Sequence, residues 1–370
     1  MTKKIILILC VIFLFNLSCD EKNEKVGETN VLPLANDSLP ADIDKYITPY
    51  IDSGFVGVVL IADSNNIILN RAYGKSLSKP DSNASFWIAS NTKPITAIAI
   101  LKLNEDGLIS IKDSITKFFK DVPVDKKNIT IEQLLTHTSG LPSNFICEGE
   151  KNMESAIKDI LSQKLISLPG KKLNYTNDGY ILLAAIVELS SKSKYESYIR
   201  KNIFNKIGMM NSNFWGEEVI QVDQINDSAR YKPFYNKIFK NRKPLENWNN
   251  KGAAGICSNT IDLYKMVAAL KKKKILNQKS LDEMFSPKIE VDINNDTILS
   301  YGYGWALLNY KKQSIEIRHR GRGDYMHNNS ICLLPNGYTI IAWSRDTGPN
   351  NPNWSTEVCK RLIRRFNNML

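Results

Sequence analysis

Ser90 and Lys93 lie three residues apart in Ser90-Asn91-Thr92-Lys93. A serine beside a lysine can do acyl-transfer chemistry if the lysine takes the hydroxyl proton. The spacing alone carries little, because Ser-x-x-Lys occurs five times, starting at Ser76, Ser90, Ser114, Ser155 and Ser191. Context separates Ser90 from the rest. It follows the strand-like Phe86-Trp87-Ile88-Ala89 and opens a helical pattern through Pro94, Ile95, Ile98, Leu101 and Leu103 that stops at Asp106-Gly107. One turn of helix puts both side chains on one face, with Cβ atoms about 5–6 Å apart. The helix start adds free N–H groups and positive potential beside the serine. Lys93 can serve as a base only if burial or a nearby positive charge lowers its pKa. A plain helix-capping serine is the alternative reading.

Two further elements each occur once: Tyr175-Thr176-Asn177 and His319-Arg320-Gly321. The first lies between Pro169-Gly170 and a helical run, so its side chains can reach a cleft. Otherwise Asn177 or Asp178 caps that helix with Tyr175 packed beneath. His319 falls at the end of an expected edge strand, and its plainer reading is an exposed strand-end histidine. Arg320 should face the opposite way from His319 by strand alternation. The three histidines show neither His-x-His nor His-Glu-x-x-His spacing, and no Gly-x-Ser-x-Gly is present, so metallohydrolase and α/β-hydrolase chemistry are disfavoured. No metal or cofactor is expected.

The elements that must carry these residues follow from patterning. Phe55 to Ala62 and Asn66 to Tyr73 flank Asp63-Ser64-Asn65 as a hairpin. Residues 111–250 read as mostly helical, with Asp178 to Leu189 a compact apolar helix burying Tyr180, Leu182, Leu183, Ile186 and Val187. Strands return at Tyr303–Asn309, Ser314–Arg320, Asn329–Leu334 and Tyr338–Ser344, the last pair turning at Pro335-Asn336-Gly337, and Trp354 to Phe366 reads as a terminal helix. The expected fold is α/β (α+β): an antiparallel sheet flanked by helices with an inserted all-helical domain. The sheet domain takes residues 41–110 and 251–370, and the insertion takes 111–250.

The first residues look like an export signal. Lys3 and Lys4 precede an eleven-residue apolar run, Ile5 to Phe15, which is too short for the about 20 residues of a membrane span. Leu17-Ser18-Cys19 resembles a lipoprotein processing site, giving a signal peptide over 1–18, lipidation at Cys19 and a polar tether over 19–40. Asn16 departs from the usual aliphatic residue, and ordinary signal cleavage is the alternative. The expected location is therefore the bacterial cell envelope, with the membrane met through the lipid anchor.

With 370 residues, 43% apolar and 24% charged, the chain is ordinary for a globular protein with a sizeable core. Its net charge of +11 suits anionic surfaces, but no nucleic-acid motif accompanies it. Beyond Cys10 and Cys19, four cysteines remain, Cys147, Cys257, Cys332 and Cys359, whose pairing is open; Cys332 sits in an apolar run that suggests a buried thiol. A monomer is expected.

Taken together, residues 40–366 resemble the serine β-lactamase and penicillin-binding superfamily, in its class C-like branch. Besides the three elements, the resemblance rests on the segments from Ile129 to Pro142 and from Ile203 to Met209, on Gly252-Ala253-Ala254-Gly255, and on Tyr301-Gly302-Tyr303-Gly304-Trp305. It implies an active site between the sheet and helical domains. Ser90 is then the nucleophile, Lys93 and Tyr175 shuttle protons, and Asn177, His319 and Gly321 bind substrate. The backbone N–H groups of Ser90 and Arg322 form the oxyanion hole, and His137 has a structural role. The branch's β-lactamases usually start the third element with lysine and then threonine or serine. Histidine there looks more like its D-amino-acid peptidases and esterases. Arg320 removes the hydroxyl that would meet a substrate carboxylate, though its guanidinium could replace it by pointing into the cleft. The expected activity is cleavage of a small-molecule or peptide amide or ester, with β-lactam turnover weak or absent. A penicillin-binding sensor that acylates without turnover and a true β-lactamase are the alternatives. Trp215, Tyr231, Phe234, Tyr235 and Trp248 are candidate acyl-pocket aromatics or simple packing.

Overall fold

Short-range chemistry sets the first elements of the computed structural model, which describes residues 38–75, 80–143, 152–214, 217, 248–294, 297–310, 314–322, 327–345 and 353–367. A helix at Ser38–Asp52 (α1) begins inside the stretch expected to be tether, because Ile43 and Ile47, one turn apart, bury against the sheet. Gly57–Ala62 (β1) and Ile67–Tyr73 (β2) form the expected hairpin. Its turn is held by Asp63 Oδ1, which accepts from the N–H groups of Asn65 and Asn66, both at 2.7 Å. Next come Phe86–Trp87 (β3), a tight turn at Ala89–Asn91 and the helix Thr92–Glu105 (α2). Gly107 stops α2 by taking φ +71, which lets the Leu108 N–H close onto the Leu103 carbonyl at 3.0 Å.

The middle of the chain is helical where it is described: Ile131–Leu135 (α3), Met153–Ser162 (α4), Asp178–Ser191 (α5), Tyr195–Ile199 (α6) and Asn205–Ile207 (α7). Asn213–Phe214 (β4), Ile256–Ser258 (β5), Thr260–Lys271 (α8) and Gln278–Met284 (α9) lead back to the sheet. The remaining strands are Ile289–Asn294 (β6), Thr297–Tyr301 (β7), Ala306–Tyr310 (β8), Ser314–Arg322 (β9), His327–Leu333 (β10) and Thr339–Arg345 (β11), closed by the helix Trp354–Asn367 (α10).

Eight strands make one sheet in the order β2-β1-β11-β10-β9-β8-β7-β6, antiparallel throughout, and β3-β5-β4 make a second, small sheet. The sheet is therefore sandwiched between helices, as β1 shows residue by residue. Val58, Leu60 and Ala62 join the main core with α2 and α8, while Val59 and Ile61 join a smaller core under α1 and α10. Helix α2 is buried on nearly every side from Thr92 to Leu101, which suits a central helix rather than a surface one.

Two expectations need correction here. The strand expected from Tyr303 starts at Ala306, because Gly302 to Trp305 form a turn with the Gly302 N–H on the Trp305 carbonyl at 2.9 Å. Strand β9 does not end at His319 and is not an edge strand along its length, since β10 and β8 flank it. The β8 ladder stops at Ala306↔Arg318, however, so from His319 onward β9 has no strand partner on that side among the described residues.

Cys19, Cys147, Trp215, Tyr231, Phe234 and Tyr235 lie outside the described residues. Trp248 is buried in the main core, and Cys257, Cys332 and Cys359 are buried free thiols. Among the described residues no helix is long and apolar enough to cross a membrane.

Candidate active site

Ser90 stands half-buried in the turn before α2, not in the helix proper. Ala89, directly before it, takes φ +45, a conformation that costs a non-glycine residue about 1–3 kcal/mol and persists only where its surroundings enforce it. The turn packs against β9 and β10. A Cβ on Gly321 would lie 2.1 Å from the Ile88 carbonyl oxygen, so only glycine lets β9 come this close to the serine.

Lys93 is fully buried, one turn into α2 from Ser90. Its Nζ lies 3.0 Å from Ser90 Oγ, 2.6 Å from Asn177 Oδ1 and 3.0 Å from the Ala253 carbonyl oxygen. The last two can only accept hydrogen bonds, whereas the serine hydroxyl can also donate. No carboxylate is among these partners, and burial pulls the amine's pKa well below its usual range. A neutral lysine then satisfies the geometry completely: two N–H bonds go to Asn177 and Ala253, and the lone pair faces the serine proton.

Asn177 is the residue before α5, yet its side chain makes no cap hydrogen bond and turns to Lys93 instead. The helix cap falls instead to Thr176, whose Oγ1 accepts from the Asp178 N–H at 3.2 Å, while the Asp178 carboxylate accepts from Gln163. Tyr175 hydrogen-bonds Ser90 through its hydroxyl, and its ring centroid is 4.8 Å from Lys93 Nζ. The tyrosine is 38% exposed, but packing pushes its pKa up, Tyr301 adds to this, and the Ser90 hydrogen bond opposes it. It rests as a phenol.

His319 is buried, which overturns the exposed strand-end reading. Its Nδ1 lies 3.1 Å from Asn91 Oδ1, while Asn91 Nδ2 donates to Asn329 Oδ1 on β10. Burial, assisted by the nearby Lys93, lowers its pKa to about 3, so the imidazole is neutral near pH 7. Its ring centroid is 6.5 Å from that of Tyr175, which brings all three sequence elements together. Arg320 is in register with Ser330, whose hydroxyl meets Ser355 and Thr356 of α10. The guanidinium therefore belongs to the α10 face, near Arg318, Cys332 and Cys359, and does not share the face of His319. Arg322 ends β9 with an exposed side chain.

Three participants were not singled out from sequence. Asn91 was visible inside the first element, but only the fold shows that it ties His319 to Asn329. Ala253 contributes a carbonyl, which no residue type reveals. Tyr301 packs with its ring centroid 6.3 Å from that of Tyr175. Among the described residues no cluster of metal-ligating side chains occurs.

A serine beside a buried lysine, on this fold, is the arrangement of a serine hydrolase. A family model described as Beta-lactamase matches residues 43–354, and the chain belongs to that family. Penicillin-binding protein 4* of Bacillus subtilis is 28% identical over 309 residues, 78% of this chain and 67% of that protein. The chain spans a smaller share of other curated relatives. The octameric penicillin-binding protein homologue from Pyrococcus abyssi superposes with a TM-score of 0.73 at 21% identity, covering 89% of this chain and 77% of that one. D-amino acid amidase from Ochrobactrum anthropi SV3 gives a TM-score of 0.68 at 21% identity, over 88% and 99%. These likenesses are of fold.

Proposed function

We propose that this chain forms an acyl-enzyme at Ser90 and cleaves a peptide, amide or ester of the D-amino-acid type, with β-lactam turnover weak or absent. The observation that carries the reading is Lys93, buried with no carboxylate among its partners and with Nζ 3.0 Å from Ser90 Oγ. The serine proton moves to Lys93 as Oγ attacks the substrate carbonyl. Tyr175, a phenol bonded to Ser90, hands a proton to the departing nitrogen or oxygen and recovers one through Lys93. The N–H groups of Ser90 and Arg322 receive the oxyanion, a role typically worth about 10²–10³ in rate per donor. Asn177, His319 and Gly321 hold the substrate.

His319 steers the substrate class. A neutral imidazole at the β9 edge offers no fixed cation for a carboxylate, and Arg320 lies on the other face. That favours uncharged amides or esters over the anionic β-lactams. The D-amino acid amidase fold-relative is consistent with this.

The chain is also proposed to be exported, lipidated at Cys19 and held in the cell envelope as a monomer. Mass spectrometry of the mature N-terminus and size measurement in detergent test this: an unmodified N-terminus or an assembly overturns it.

Activity is tested by offering the purified chain and Ser90→Ala a panel of D-amino-acid amides, D-alanyl dipeptides, p-nitrophenyl esters and a chromogenic cephalosporin. Turnover of an amide or ester with an acyl adduct at Ser90 is expected. Fast cephalosporin hydrolysis contradicts the reading, and a stable penicillin adduct with no turnover of anything favours a sensor.

A further inference from the structure

His137 surrounds Tyr175 in a way that general packing does not require. Its backbone carbonyl accepts from the Asn174 N–H at 2.8 Å, and its Nδ1 accepts from the Thr176 N–H at 3.3 Å. Between those two anchors its ring lies against the Tyr175 ring, with centroids 4.2 Å apart and planes 33° from parallel. One residue therefore holds the tyrosine's ring and the N–H groups of the residues before and after it. Tyr180 and Tyr301 close around the imidazole, each with its centroid 5.1 Å away, Tyr301 edge-on at 86°.

The backbone marks the same residue. His137 takes φ +58, a left-handed conformation uncommon for non-glycine residues but one that histidine, like asparagine and aspartate, enters more readily than most. Ala89, before the nucleophile, also takes a positive φ. Nδ1 must stay bare to accept from Thr176, which puts the single proton on Nε2. That nitrogen is buried and has no hydrogen-bond partner among the described residues. His137 is therefore neither a base nor a relay for Ser90. Burial keeps it neutral, which preserves the acceptor.

We propose that His137 is a positioning residue for Tyr175: a neutral imidazole that fixes, through the tyrosine's ring face and the Thr176 N–H, where the phenol hydroxyl meets Ser90. The proposal rests on Ser90, Lys93 and Tyr175 being the reacting groups. Gripping a ring by its face and a peptide N–H by an in-plane acceptor needs both features in one side chain. Asparagine at 137 tolerates the backbone and carries an acceptor but has no ring; phenylalanine has the ring without the acceptor.

The test compares the wild-type full chain with His137→Asn, His137→Phe and Ser90→Ala, measuring the rate of Ser90 labelling by a fluorophosphonate and steady-state turnover of the best substrate. Both histidine variants should label more slowly by about 10–10² fold, since small misplacements of a reacting group cost that much. The loss should fall on kcat with KM little changed, because substrate binding is untouched. In parallel, ¹⁵N-histidine NMR of the wild-type chain should show His137 as the neutral Nε2–H tautomer that does not titrate near its ordinary value of about 6.5. Labelling of either variant at the wild-type rate overturns the proposal, and so does a His137 that titrates normally. The NMR result stands even if a variant fails to fold. Absence of label on wild-type Ser90 sinks the underlying site reading, whereas labelled wild type with unimpaired variants sinks only the role of His137.

Discussion

Asn177 gives its side-chain oxygen to Lys93 at 2.6 Å, and the first N–H of the helix beginning at Asp178 is met instead by Thr176 Oγ1 at 3.2 Å. The helix keeps a side-chain cap, typically worth about 1 kcal/mol, while the Asn177 amide is left to the lysine. The amide oxygen is neutral, and this is the point: it accepts a hydrogen bond from Lys93 without stabilising the ammonium as a carboxylate does. Asn177→Asp puts that carboxylate in place. The lysine pKa should rise, and labelling of Ser90 near neutral pH should fall by about 10² fold, the size of losing general base assistance. The rate should recover as pH is raised. A variant whose pH–rate profile overlays the wild type contradicts a neutral Lys93.

Stability carries the same signature. Lys93 is protonated in the unfolded chain below its ordinary pKa of about 10.4, and burial lowers its folded pKa. Between the two values the unfolded state binds one more proton, so stability rises with pH across that window. Lys93→Met removes the contribution. Denaturant titrations at increasing pH up to the ordinary lysine value of about 10.4 should show wild type gaining on the variant, by at most about 1.4 kcal/mol per pH unit. Parallel curves mean the lysine is charged in the fold.

Most of the elements and the three segments that meet at the candidate site were legible because they depend on near-neighbour pattern. The alternation that splits Val58, Leu60 and Ala62 from Val59 and Ile61 is a property of the strand itself. What could not be read depends on distant pairs. His319 looked like a strand-end residue because its local sequence does not show that Asn91, 228 positions earlier, receives it. Helix α1 was missed because its apolar positions are sparse and gain meaning only against α10. Arg320 followed the alternation rule, and register with Ser330 then placed it away from the cleft.

His319 predicts an acid limit. Its folded pKa of about 3 lies below the unfolded value of about 6.5, so the unfolded state binds the extra proton between them. Stability is therefore lost as pH falls through that range, ahead of most carboxylates, and His137 adds to the effect. His319→Asn should flatten the slope between pH 6 and 4 by about 1.4 kcal/mol per pH unit. An unchanged slope means that His319 is exposed enough to titrate normally.

Gly321 and Gly107 separate site geometry from backbone strain. Alanine at 321 puts a methyl group 2.1 Å from the Ile88 carbonyl oxygen and 2.6 Å from Asn329 Oδ1. The first contact is with backbone, which cannot rotate away, so β9 must move off the turn that carries Ser90. Alanine at 107 meets nothing within 4 Å and suffers only its φ of +71. Gly107→Ala should cost about 1–2 kcal/mol of stability and leave the rate of Ser90 labelling within about twofold. Gly321→Ala should lose stability and, at temperatures where it remains folded, slow labelling by about 10² fold, because the proposed oxyanion donor, the Arg322 N–H, and the serine no longer hold their spacing. Calorimetry alongside labelling kinetics distinguishes the two. If both variants lose rate only in proportion to unfolded protein, the close approach of β9 to Ser90 is packing and not part of the catalytic arrangement.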